Sequence, residues 1–143
     1  MKEWAEVKNE IRTVAKDKEI AESLFKTVDT RFEDLKVLLE KDIIKFTSVI
    51  TEGYYEIIKE MLTALMAIDG YKTTSHEALI IYLKEFYKNF DEYEIRFIDD
   101  LRKIRNKIDY KGFTVNPEYL KRNNLEIQNI ISKFKKLINE KLK

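Results

Sequence analysis

A chain of 143 residues with no cysteine is long enough to bury one core, and it excludes both a disulfide frame and thiolate chemistry. Three Gly, one Pro and abundant Lys, Glu, Ile and Leu bias the chain towards helix, and the charged share of 37% fits a thermophile or an AT-rich genome equally. No apolar run approaches bilayer length, and Met1-Lys2-Glu3-Trp4 opens an amphipathic segment rather than a signal peptide, so a cytoplasmic protein without membrane contact is expected.

The net charge of +1 hides an asymmetry. Residues 102–143 hold twelve Lys or Arg against four Asp or Glu, whereas residues 1–101 hold fifteen against twenty-two. A basic C-terminal third beside an acidic body has two readings: an anionic partner, or attraction between the two parts across the fold.

Trp4, Val7, Ile11, Val14, Ala21, Phe25, Val28, Phe32, Leu35 and Leu39 step by three and four, with Lys18 the one break in register. One long helix, or two collinear helices meeting at an Asp17 N-cap, would give this stripe. Its partner is the rest of the domain or a second copy. After a soft joint at Lys41-Asp42, Ile43, Phe46, Ile50, Tyr54, Ile57, Met61, Leu65 and Ile68 form a second stripe, closed by Gly70 as a left-handed cap. Gly53 inside it costs about 1 kcal/mol against Ala and reflects either a close helix approach or tolerance. Tyr54-Tyr55 reads as core.

Thr74 to Glu77 has the spacing of a capping box for a third helix carrying Leu79, Tyr82, Leu83, Phe86 and Phe90. His76, the one histidine, falls in its first turn as a hydrogen-bonded structural residue, since no partners for a metal site accompany it. Asp91 and Glu94 repeat the box for a fourth helix with Phe97, Ile98, Leu101, Ile104 and Ile108. Asn116-Pro117 starts a fifth, carrying Leu120, Ile127, Ile131, Phe134 and Ile138. The expected fold is all-α: one up-and-down bundle of about five helices over 1–143, with residues 1–16 allowed as an N-terminal helical extension.

The chemistry concentrates at residues 101–112, where five cations and an amide share a helix end with Asp109 and Tyr110 before Gly112. There is no Gly-rich phosphate loop, no metal-ligand cluster and no nucleophile that one His could serve, so neither metal nor cofactor is expected. Arg102, Arg105, Asn106 and Lys107 suit a phosphodiester or nucleotide phosphate. A local Arg105–Asp109 salt bridge at i,i+4 accounts for the same residues without a ligand. Tyr110 stands roughly 140° around the helix from Arg105 and would reach it if the helix unwound near Lys111-Gly112.

Gly53-Tyr54-Tyr55-Glu56-Ile57, Gly70 through Leu79, and above all Ile104-Arg105-Asn106-Lys107-Ile108-Asp109-Tyr110 resemble the HEPN domain family, in the branch reading R-x-x-x-D-Y where others read R-x4-6-H. The resemblance implies a homodimer whose two Arg105 side chains line one cleft, with Arg105 on a phosphate and Asn106 as the polar residue beside it. The signature His would fall at or just after Tyr110, where none stands. A phenol with a reference pKa near 10 is a poor base at neutral pH, and so is the Asp109 carboxylate. The leading expectation is therefore binding of RNA or a nucleotide phosphate with weak or no catalysis, in a toxin–antitoxin setting or beside a nucleotidyltransferase-type partner protein. The alternatives are a metal-independent endoribonuclease, with Arg105 on the phosphate and Asp109 or Tyr110 assisting, and a protein–protein interaction module.

Overall fold

The computed structural model describes all residues 1–143, in the order α1 (Trp4–Val7), a 3-10 turn (Lys8–Glu10), β1 (Arg12–Thr13), α2 (Lys18–Asp42), α3 (Thr47–Asp69), β2 (Tyr71–Lys72), α4 (His76–Phe86), α5 (Glu92–Lys111) and α6 (Pro117–Leu142). The protein is an all-α bundle, and no helix is long and apolar enough to cross a membrane.

Local chemistry sets most boundaries. Asp17 caps α2, its carboxylate accepting from Ile20 N–H at 3.0 Å. Asp91 and Glu94 close a reciprocal capping box on α5, and Asn116 with Pro117 starts α6. Gly70 and Gly112 end α3 and α5 at φ 89° and 62°, the left-handed region that a side chain disfavours. One cap moves: Ser75 rather than Thr74 accepts from Ala78 N–H, because the chain before it is tied down by Thr73 Oγ1 donating to Glu10 O.

α3 is the central element, packing against α2, α4, α5 and α6. Tyr54 and Tyr55 are buried in the core, as are Ile57, Met61 and Leu65. The hydroxyl of Tyr54 donates to Asn124 Oδ1 at 2.6 Å and joins α3 to α6. A Cβ on Gly53 would stand 2.7 Å from Leu35 Cδ2, so the glycine lets α2 approach α3 closely. At the far end of α3, Tyr82 and Tyr87 both donate to Asp69 Oδ2, and Lys141 Nζ lies 3.2 Å from Oδ1. One carboxylate thereby ties α3, α4 and α6 together.

The expected helical extension over residues 1–16 is not what forms. Only Trp4–Val7 is α-helical; Arg12-Thr13 pairs antiparallel with Tyr71-Lys72, Val14 N–H donates to Gly70 O, and Asp17 N–H donates to Ala67 O. The cause is tertiary. α4 buries Ala78 and Ile81 in a small second cluster with Val7, and Trp4 stacks edge-on against Phe86 at 5.1 Å. The segment therefore lies over α4 as a strap instead of continuing α2.

The basic third is largely neutralised within the fold. Lys135 meets Asp29 of α2 at 2.7 Å, Lys141 meets Asp69, and Lys133 meets Glu94 at 2.8 Å. Charge asymmetry in the sequence thus serves in part to seat α6 on the acidic body, each exposed pair contributing up to about 1 kcal/mol.

Candidate functional site

Helix α5 carries the candidate residues in two groups. Because Gly112 absorbs the left-handed turn and its N–H reaches Lys107 O, α5 stays helical to Lys111. The unwinding that would carry Tyr110 round to Arg105 does not occur.

On one flank, Arg105 is held between two helices. Its Nη2 lies 3.2 Å from Glu56 Oε1 on α3, and its Nε lies 3.1 Å from Asp109 Oδ2. The ion pair that i,i+4 spacing allows is therefore made. Neither contact has hydrogen-bond geometry, however: Arg105 Nε and Glu56 Oε1 are both buried without a hydrogen-bond partner. The guanidinium is held by charge between two carboxylates, and its unpartnered Nε is buried on the Asp109 side. Burial pushes the Glu56 carboxyl up, but Lys59 and Arg105 outweigh it and hold the group below the usual carboxylate range. Glu52, one turn earlier on α3, is raised by burial and then by the adjacent Asp109 charge.

Towards α4, the helix borders an open groove of about 390 Å³. Arg102, Arg105, Asn106 and Tyr110 line one side, and Ser75, His76 and Glu77 from the start of α4 line the other. Arg102 is fixed by Asp99, whose Oδ1 accepts from its Nε at 2.8 Å; Asp99 is buried and also faces Lys103 Nζ at 3.3 Å. Tyr110 projects into solvent at 77% exposure. His76 packs against the Tyr55 ring at 6.0 Å between centroids. Its imidazole is lowered from its ordinary value, first by partial burial and then by Lys59 and Arg105, so it is neutral at pH 7 and free to accept a proton.

Four sequence candidates therefore come together in the groove: Arg102, Arg105, Asn106 and Tyr110. Asp109 stands on the opposite flank as a partner of Arg105, and Lys107 lies outside, its Nζ 5.7 Å from the Phe113 ring centre. Two contributors escape a reading of α5 alone. His76 belongs to another helix and meets α5 through packing. Glu56 could have been sought from the Glu52/Glu56 pair at i,i+4, which puts two carboxylates on one face of α3. No group of three or more His, Cys, Asp or Glu side chains is arranged to hold a metal ion.

No protein-family model matches the chain, and neither a curated protein nor a solved structure is significantly similar to it.

Proposed function

We propose that the chain is a HEPN-like domain that binds RNA or a nucleotide phosphate in the α4–α5 groove and acts as a homodimer, in a toxin–antitoxin system or beside a nucleotidyltransferase-type protein. The observation that carries this reading is the convergence of Arg102, Arg105, Asn106 and Tyr110 on one open groove, with the Arg105 guanidinium held in place by Glu56 and Asp109. A phosphate supplies acceptor oxygens, and two guanidiniums offer the planar forks that suit it. Tyr110, a phenol, stands where the resemblance places an imidazole, and Asp109 is committed to Arg105. Binding without turnover follows from those two positions.

The test is RNA binding by fluorescence anisotropy in EDTA, with wild type, Arg105→Ala and Arg105→Lys. The expected result is salt-sensitive binding that weakens about tenfold in Arg105→Ala and recovers in part in Arg105→Lys, which keeps the charge and loses the fork. Equal affinity of all three proteins refutes it. Light scattering tests the dimer, and a monomer at micromolar concentration removes the shared cleft.

One observation favours a second reading. His76 places a neutral imidazole in the groove beside Arg105, so metal-independent RNA cleavage would have a proton carrier, drawn from α4 rather than α5. RNA cut in EDTA by wild type and left intact by His76→Ala selects this reading; intact RNA in both selects binding alone.

A further inference from the structure

A second cleft, of about 240 Å³, opens between α5 and α6. At 3.6 residues per turn, Tyr93, Arg96, Phe97 and Asp100 fall on the side of α5 opposite Arg102, Arg105 and Asn106, so the two sites share a helix but no wall. Its lining is aromatic: Tyr93 and Phe97 sit 6.3 Å apart with rings inclined by 41°, and Tyr119 faces them from α6.

The Tyr93 hydroxyl donates to Glu126 Oε2 at 3.2 Å, and around the rings stand several polar atoms without partners. Arg96 and Asp100 are four residues apart, the spacing at which helical ion pairs form, yet they make none. Asn123 donates its amide to Tyr119 O at 2.8 Å, which fixes the side chain and leaves its Oδ1 unengaged. The Tyr119 hydroxyl has no partner either, and burial pushes its phenol up to about 12, so it remains a donor. A neighbouring pocket shares Tyr93 and runs towards Arg122, which lines it together with Asp91, Glu94 and Glu126.

The matching ligand is flat, stacks on aromatic faces, and presents adjacent donors on one edge and acceptors on another. Guanine has that pattern: N1–H and N2–H side by side suit the two oxygens of a carboxylate, and O6 with N7 suits an arginine fork. Adenine would set its N1 lone pair against Asp100. A pyrimidine offers less surface to three rings.

We propose that the α5–α6 cleft is a guanine-binding site, with the base among Tyr93, Phe97 and Tyr119, Asp100 accepting from N1–H and N2–H, and Arg96 donating to O6 and N7. The inference goes beyond the phosphate groove and does not depend on it. The probe is accordingly guanosine, which has no phosphate, titrated into ¹⁵N-labelled full-length protein. Saturable amide shifts at Phe97, Tyr119 and Asn123 are expected, with guanosine bound more tightly than adenosine. Inosine, which lacks the N2 amine, binds about tenfold more weakly than guanosine. Asp100→Asn, an exposed change that leaves the core untouched, abolishes the preference for guanosine over adenosine. Absent or unsaturable shifts, shifts confined to other residues, equal binding of guanosine and adenosine, or an unchanged preference in Asp100→Asn each overturn the proposal.

Discussion

Replacing Asp69 by Ala probes the junction of three helices. In the folded protein Asp69 Oδ2 accepts from Tyr82 at 2.6 Å and also from Tyr87, and Oδ1 faces Lys141. Tyr82 and Tyr87 are 2% and 8% exposed, so water cannot readily replace the lost acceptor. A hydrogen bond to a charged group contributes about 1.5–3 kcal/mol net, and a partly exposed ion pair adds at most about 1 kcal/mol. The two phenols share one oxygen, so their contributions overlap, and a total of about 3–4 kcal/mol is expected. Against a typical stability of about 5–15 kcal/mol that is a large fraction. It corresponds to a fall in Tm of roughly 10 °C for a chain of this size. Asp69→Asn, which keeps one acceptor, should lose about half as much. Urea unfolding should show a lower midpoint at unchanged slope. In the Asp69→Ala background, a further Tyr82→Phe change should cost close to nothing. A loss below about 1 kcal/mol, or a full Tyr82→Phe penalty in that background, refutes the shared-acceptor account.

Three further outcomes follow from the same geometry. Gly112→Ala should cost about 1 kcal/mol, since an added Cβ meets nothing there and only the left-handed backbone is penalised; Gly70→Ala should cost more, because its Cβ would also stand 3.0 Å from Val14 O, and equal losses in urea titrations would contradict this. Tyr55, Tyr82 and Tyr87 are all raised above the ordinary value of 10.0, chiefly by burial, so their contribution is intact below pH 10 and is lost as pH rises past it; a urea midpoint that stays flat to about pH 11 would contradict the burial of these phenols. His76 is lowered from 6.5, so its share of stability is present above that pH and declines as pH falls through and below it; His76→Gln should flatten the acid limb of the stability profile, and an identical limb in both proteins would refute the assignment.

What could be read from the sequence was what short-range chemistry decides. Asp91 with Glu94, Asn116 with Pro117, Gly70 and Gly112 each satisfy or turn the backbone within a few residues, and each element ends where those residues place it. The long-range features were different in kind. Ile11 and Val14 keep helical spacing, yet Arg12-Thr13 pairs with a segment sixty residues on, and nothing within the first seventeen residues announces that partner. The cap moved from Thr74 to Ser75 for the same reason, through a bond from Thr73 to Glu10. In the candidate site, the spacing on α5 correctly paired Arg105 with Asp109, but Glu56 and His76 arrive from α3 and α4. Helix periodicity fixes which face a residue occupies; it carries no information about which helix will come to meet that face.

The N-terminal strap has a consequence for the order of assembly. Its apolar side chains, Trp4 and Val7, find their partners on α4, and its backbone donors at Val14 and Asp17 find theirs at the end of α3. During synthesis these residues leave the ribosome well before residues 67–86 exist, so they must wait undocked while all of α2, α3 and α4 emerge. The first part of the fold to be made is then among the last to settle, and α4, apolar on the side that the strap covers, stays exposed to chaperones and to other nascent chains until it does.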